Sequence, residues 1–475
     1  MSRHITTDIC VIGAGSGGLS VAAGASQLGA PTILIEKSKM GGDCLNTGCV
    51  PSKALLAAAK AAQSMRTAGK FGVTATGIEV DFAKTMDLVH GVIAAIAPND
   101  SVERFTRLGC NVIQAPARFI SPVEIEAGDM IIRARRFVIA TGSHAAIPPI
   151  PGLEGVPYLT NETIFENRTC PEHLIILGAG PIGMEMGQAH RRLGARVTII
   201  QRSRALAKED PELSAIAIAA LRSEGAVILE EAELVSVDCE SHGAINVVFK
   251  NKSGEQRIRG SHLLVATGRQ PNTGGLGLEA ANIDHDRTGI KTDAGLRTSN
   301  RRVYAIGDVT GGPQFTHVAG YHAGLVIRSA LFRARARFDY RVVPRVTYTD
   351  PEVAQVGMTE DGAVNANIPH RVLHWRFDEN DRAQAERRTE GLAKIITGKG
   401  GAILGAGIAG VNAGELLQPW ILAMTRKQKI GAMTGIIAPY PTLGEINKRI
   451  AGSYYTPTLF SPRTRRIVGL LRKFG

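Results

Sequence analysis

Three observations predict an α/β fold with two Rossmann-like dinucleotide-binding domains followed by a third domain. The stretch "DICVIGAGSGGLSVAAGASQLGAPTILIEK" reads as strand, glycine turn, small-residue helix and second strand. The stretch "HLIILGAGPIGMEMGQAHRRLGARVTIIQR" repeats that grammar in register. From about Val342 the glycine turns stop and a different texture runs on.

The glycines of the first turn have separate physical tasks. Gly13 permits the tight turn, Gly15 lets a pyrophosphate approach the backbone, and Gly18 lets the helix pack close on its strand. The helix N-terminus favours the negative charge of a phosphate. Glu36 ends the second strand, where a carboxylate would bind ribose hydroxyls. In the repeat the same places hold Gly178, Gly180 and Gly183, and Gln201 follows Gly178 by the 23 positions that separate Glu36 from Gly13. One such motif alone could be an ordinary glycine-rich turn; its recurrence in register carries the reading. Each unit is followed by a similar strand end, "FVIATGSHAAIPPIPG" and "LLVATGRQPN", in which Gly142 and Gly268 close turns towards a nucleotide. In "RRVYAIGDVT", Asp308 follows an apolar strand and is placed either to bind a polyol chain or to cap a helix.

Composition bounds the function. With 44% apolar and 21% charged residues the chain reads as folded, soluble and cytoplasmic, and at 475 residues it is long enough for several domains. The charge of +12 suits dinucleotide phosphates, and equally suits nucleic acid or an anionic membrane surface. Six cysteines are too few for a disulfide scaffold, and only Cys44 and Cys49 are close in sequence. The N-terminus enters an apolar strand without a charged leader. The most membrane-like run, residues 401 to 424, contains Asn412, Glu415 and Gln418 and is unsuited to spanning a bilayer.

The segment "GGDCLNTGCVPSKAL", with Cys-x4-Cys followed by Val50, Pro51, Ser52 and Lys53, resembles the active-site sequence of the flavin-dependent pyridine nucleotide-disulfide oxidoreductases, the family of glutathione reductase, dihydrolipoamide dehydrogenase and mercuric reductase. The "ATG", "AIGD" and "PRVTYTDPEVAQVG" segments fall in family order. The resemblance implies an FAD-binding domain at 1–150, an NAD(P)-binding domain at 151–275, a return to the FAD domain at 276–342, and an α+β dimerisation domain at 343–475, acting as a homodimer without nucleic acid. It implies FAD contacts from Gly13, Gly15, Gly18, Glu36, Lys53, Ala117, Thr141, Gly142, Asp308 and His317. It implies nicotinamide-nucleotide contacts from Gly178, Gly180, Gly183, Gln201, Arg202, Arg204 and Gly268. Lys53 and Glu185 match the pair beside the flavin. Cys49 is implied to be the flavin-side sulfur and Cys44 the thiol that attacks substrate.

Physical chemistry agrees with a redox pair. Zinc would need ligands that neither a second close cysteine pair nor a His-x3-5-His run supplies. A structural staple across so short a loop would constrain the unfolded chain little. Pro51 suits a first helical turn and "ALLAAAKAAQSM" a helix body, which places Cys49 at a positive helix end that favours thiolate.

The family pattern breaks in "APYPTLGEINKR", where Tyr440 occupies the position of the catalytic histidine and Glu445 is kept. A phenol, with a reference pKa of roughly 10 against roughly 6.5 for imidazole, is a poor proton shuttle near neutrality. Mercuric reductase resembles this chain in its tyrosine, but its terminal cysteine pair has no counterpart, because no cysteine follows Cys239. Gln201 in place of an acid, with Arg202 and Arg204 following, favours NADPH over NADH. The reading is an FAD-dependent NAD(P)H oxidoreductase serving a metal ion, a quinone or an unusual disulfide. Dihydrolipoamide dehydrogenase and a flavin-bearing redox sensor or membrane-docking subunit are the alternatives. The segment "LFSPRTRRIVGLLRKFG", with five basic and no acidic residues among apolar ones, is read as a solvated end or interface helix, with docking to a membrane or a protein as the sharper reading.

Overall fold

The computed structural model describes residues 3–474. It divides into two compact units, the first made of Met1–Gln63, Gly77–Arg202 and Glu231–Asp339, the second of Ser64–Thr76, Ser203–Glu230 and Tyr340–Gly475.

In the first unit the β-branched run Arg3–Ile12 is flanked by parallel strands on both sides, Thr32–Glu36 then Cys110–Gln114 on one and Met130–Ile139 on the other. Strands buried on both faces read as unbroken apolar runs, as "ICVI" and "FVI" do. Val303–Ala305 joins Met130–Ile139 in parallel, so the chain returns to this sheet after residue 300. Residues 276 to 309 supply Leu278, Ile283, Ile290 and Val309 to the same core as Phe119 and Phe137, whose rings meet edge to face at 5.2 Å. A second parallel sheet runs Arg196–Ile200, His173–Leu177, His262–Val265 and Tyr158–Leu159. The two "ATG" strand ends bind each other, with Ser143–Ala145 antiparallel to Arg269–Pro271. Thr141 Oγ1–H donates to the Asn272 carbonyl at 2.8 Å, and Asn272 Nδ2–H donates back to the Thr141 carbonyl at 2.8 Å.

The second unit holds an antiparallel sheet in the order Pro344–Thr347, Glu352–Gly357, Ile403–Gly410, Leu392–Thr397 and Arg371–Arg376. Its core is centred on the fully buried Trp420, whose indole N–H donates to Asn447 Oδ1 at 2.7 Å. The run 401–424 is cut into the strand Ile403–Gly410 and the short helices Ala413–Leu416 and Gln418–Thr425. Among the described residues no helix is long and apolar enough to cross a membrane.

Within the second unit the helix Pro211–Ser223 is joined to the antiparallel sheet by a buried ion cluster. Lys394, only 3% exposed, stands 3.1 Å from Asp210, 3.2 Å from Glu212 and 2.6 Å from Glu360. Asp210 is equally buried and caps the helix Pro211–Ser223 by accepting from the Glu212 N–H. Lys394→Ala would leave the Asp210 carboxylate buried without its cation, and about 3 kcal/mol of stability should be lost. Chemical denaturation checks this, and a midpoint equal to wild type would show the cluster to be energetically neutral.

Candidate active site

The two glycine turns divide their labour as steric facts. Gly13 has φ +103°, and a Cβ there would lie 2.4 Å from the Ala140 carbonyl oxygen; Gly178, at φ +105°, would meet the Ala266 oxygen at 2.4 Å. A Cβ on Gly18 would stand 1.8 Å from the Gly13 carbonyl, and one on Gly183 1.9 Å from that of Gly178. At Gly15 the nearest atom to such a Cβ is 3.9 Å away, and at Gly180 nothing lies within 4 Å. The protein itself tolerates a methyl at these two positions, so the open space over the helix N-termini is the kind a pyrophosphate occupies.

Glu36 is fixed by accepting from the Ala14 N–H at 2.7 Å and the Ser38 N–H at 2.8 Å. Gln201 Oε1 accepts from the Ala179 N–H at 2.9 Å, the equivalent place in the second turn. Asp308 lies in the short 3-10 turn Gly307–Thr310, where Ser143 Oγ–H donates to its Oδ2 at 2.6 Å, and Arg269 holds Ser143 with a 2.7 Å hydrogen bond. Burial pushes the Asp308 carboxyl upward despite the Ser143 hydrogen bond and the Arg269 charge. These residues fit a bound flavin nucleotide. Ala117 has its methyl in the core, which leaves only its backbone for a cofactor, and His317 stacks on Phe315 at 5.1 Å.

The first turn also builds the cysteine loop. The Gly41 N–H donates to the Ala14 carbonyl at 2.9 Å, and a Cβ on Gly42 would come within 2.7 Å of Gly15 Cα. The helix Gly42–Asn46 carries Cys44, and Cys49 is the first residue of the helix Cys49–Arg66. The loop is tied by Asp43, which accepts from Asn161 Nδ2 at 2.8 Å and Thr47 Oγ1 at 2.9 Å and faces Arg269 at 3.3 Å.

Cys44 is half-buried, Cys49 is exposed, and both are free thiols. They differ in acidity. The hydrogen bond from Cys44 lowers Cys49 most, burial opposes it, and the hydroxyl of Thr316 and the charge of Lys53 add to the lowering, bringing it to about 6. Cys44 moves the other way, chiefly because it donates to Cys49 and also because it is buried. Thr316 Oγ1 lies 3.4 Å from Cys49 Sγ. Lys53 Nζ lies 2.8 Å from the buried Glu185 Oε2, which joins the helices Cys49–Arg66 and Pro181–Arg192.

Tyr440 and Glu445 belong to the second unit and are not hydrogen-bonded to each other. The Tyr440 phenol donates to Asp381 Oδ2 at 2.9 Å, and that hydrogen bond raises its pKa. Glu445 accepts from Arg449 Nε at 2.8 Å. Arg202 is exposed, while Arg204 spends one nitrogen on the Glu209 carbonyl at 3.0 Å. Sequence reasoning missed Thr316, Asp43, Ser143, Arg269 and Asp381. Asp43, Ser143 and Arg269 lie inside the quoted segments, whereas Thr316 and Asp381 meet their partners 267 and 59 positions away.

Two expected outcomes follow from this geometry. Gly15→Ala should fold with the stability of the wild-type apoprotein yet lose bound flavin, whereas Gly18→Ala should fail to fold or unfold at much lower temperature; visible flavin absorbance and thermal melts distinguish them, and equal behaviour of the two variants would contradict the division of labour. The reduced pair should hold Cys49 as thiolate above pH about 6 and lose it below, since a lowered pKa means the proton returns only as pH falls through that value. Thiolate absorbance measures the midpoint. It should rise towards the ordinary thiol range in Cys44→Ala, and a midpoint unmoved by that change would refute the hydrogen bond as the main cause.

Comparison with known proteins identifies the family. A family model described as pyridine nucleotide-disulphide oxidoreductase matches residues 7–323, and the dimerisation domain of that family matches residues 343–450. The chain is 35% identical to a mercuric reductase of Streptomyces lividans over 96% of its own length and 97% of that protein. It is 31% identical to a dihydrolipoyl dehydrogenase of Bacillus subtilis over 94% and 96% of the two chains. Among solved structures, the Cu(II) complex of the HOCl-induced flavoprotein disulfide reductase RclA from Escherichia coli superposes with a TM-score of 0.85 at 26% identity, covering 94% of this chain and 99% of that one.

Proposed function

This chain belongs to the FAD-dependent pyridine nucleotide-disulphide oxidoreductases, and from that premise we propose that it oxidises NADPH and delivers the electrons through Cys49 and Cys44 to a thiophilic metal ion rather than to a disulfide. The observation that carries the proposal is Tyr440. Disulfide exchange at Cys44 needs a group that takes the thiol proton and later returns it to the leaving sulfur. A phenol already donating to Asp381, with its pKa raised by that contact, does not accept a proton near neutrality. The relative named mercuric reductase favours a metal ion as acceptor, and the disulfide reductase solved as a Cu(II) complex binds a thiophilic one.

Bound FAD supplies two-electron chemistry between the nicotinamide and the thiols. The chain's own part begins with the glycine turns and Glu36, which seat the nucleotide, and with Asp308, held by Ser143 for a polyol hydroxyl. Reduction of the Cys44–Cys49 disulfide by two electrons and one proton leaves a thiolate at Cys49 and a thiol at Cys44. The Lys53 charge and the Thr316 hydroxyl stabilise the thiolate. One Hg(II) ion takes up the two electrons and is reduced to the element, or two Cu(II) ions take one each and become Cu(I); the S–S bond re-forms, and the Cys44 proton is released. The homodimer built on residues 343–475, and the domain division at 150, 275 and 342, are part of this proposal.

NADPH is the reductant in this reading because Gln201 lacks the negative charge that would repel a 2′-phosphate, and Arg202 and Arg204 follow it. A charge-assisted contact contributes about 1.5–3 kcal/mol, or roughly tenfold to a hundredfold in preference.

The test measures nucleotide oxidation with Hg(II), Cu(II), glutathione disulfide, lipoamide and a quinone, using NADPH and NADH. Wild type should favour NADPH and the metal ions and turn over both disulfides only residually. Tyr440→His should raise disulfide turnover by roughly a hundredfold, the lower range for general acid-base assistance, with little change on metal ions. Robust disulfide turnover by wild type would end the proposal.

A further inference from the structure

The helix Pro462–Leu471 is specified locally and is not covered by any of the described residues. Ser461 caps it by accepting from the Thr464 N–H at 3.2 Å, Pro462 opens it, and none of its side chains is buried. At about 3.6 residues per turn, Leu470, Ile467, Leu471 and Val468 form one continuous side. Arg465, Arg466 and Arg472 fall on the opposite side, and Lys473 continues that side into the turn that follows. Arg463 and Thr464, in the first turn, fall within the arc of the apolar side, and the long stem of Arg463 can reach past the apolar residues. The apolar residues are 48–62% exposed, and Phe474 beyond the helix is 81% exposed. An exposed amphipathic surface this concentrated marks an interaction site.

Charge decides among occupants. No acidic residue follows Glu445 in the sequence, so five cations, Arg463, Arg465, Arg466, Arg472 and Lys473, stand in the tail without a local counter-charge. A second copy would bring the same unbalanced cations to the contact. A surface that is anionic and has an apolar layer beneath it satisfies both sides of the helix at once: the arginines and Lys473 meet phosphates while the leucines, Ile467, Val468 and Phe474 enter the acyl boundary.

We infer that Pro462–Leu471 and Phe474 seat this reductase on an anionic phospholipid surface. The inference does not depend on which electron acceptor the enzyme serves. The experiment is flotation of the full-length flavoprotein with vesicles of phosphatidylcholine alone and of equal parts phosphatidylcholine and phosphatidylglycerol, at low and high salt. Sedimentation equilibrium and flavin content are measured on the same samples. Binding should be at least tenfold tighter to the anionic vesicles and should weaken in high salt. Leu470→Glu/Leu471→Glu should abolish it, and Arg465→Ser/Arg466→Ser should weaken it by roughly thirtyfold, the loss of two surface charges. Both variants should keep wild-type flavin content and wild-type mass. Equal binding to neutral and anionic vesicles, or variants that float like wild type, would overturn the inference. A Leu470→Glu/Leu471→Glu protein that changes mass without changing vesicle binding would overturn it too, assigning the apolar side to a second copy.

Discussion

The constraint on which the first unit's site rests is the approach of Gly18 to the Gly13 carbonyl, where a single methyl group would stand 1.8 Å from oxygen. It sets the helix Ser16–Gln27 hard against its strand, and that helix in turn offers Gly17 and Gly24 to the helix Thr316–Ala330, whose Ala319 and Ile327 would lie 3.3–3.4 Å from an added Cβ. Thr316 begins that second helix and reaches Cys49. The same turn receives the cysteine loop through the Gly41–Ala14 hydrogen bond and the Gly15–Gly42 contact. Nucleotide seat and redox pair are therefore one piece of backbone geometry, reached by two short routes from one pair of glycines.

On that frame the chemistry is an asymmetry between two like groups. Cys44 and Cys49 differ because each sees the other in a different role: Cys44 donates, Cys49 accepts. A pair whose acidities are pushed apart has its roles assigned before substrate arrives. Lys53 contributes a charge to the thiolate while Glu185 fixes its ammonium, so the ion pair orients rather than neutralises. The second unit supplies no imidazole at Tyr440, and Asp381 takes the phenol's one proton.

The sequence by itself determined what short-range physics controls. Glycine positions that require φ above +100° or a missing Cβ, the register of the repeated turn, the cysteine spacing, the helix start at Cys49 and the substitution at Tyr440 were all legible, because each is a demand that a few neighbouring residues make on one another. The tertiary structure alone decided the rest. Thr316 lies 267 positions from Cys49, and Ser143 lies 165 from Asp308, so no periodicity links them. The partners that surround Asp308, Ser143 directly and Arg269 through it, come from segments far from it in the chain. Lys394 and Asp210 stand 184 positions apart, and only the fold brings so desolvated a cation to its carboxylates. Local backbone demands are written in consecutive residues, whereas the partner of a buried charge or a thiolate is chosen by packing, which the linear order of the chain does not record.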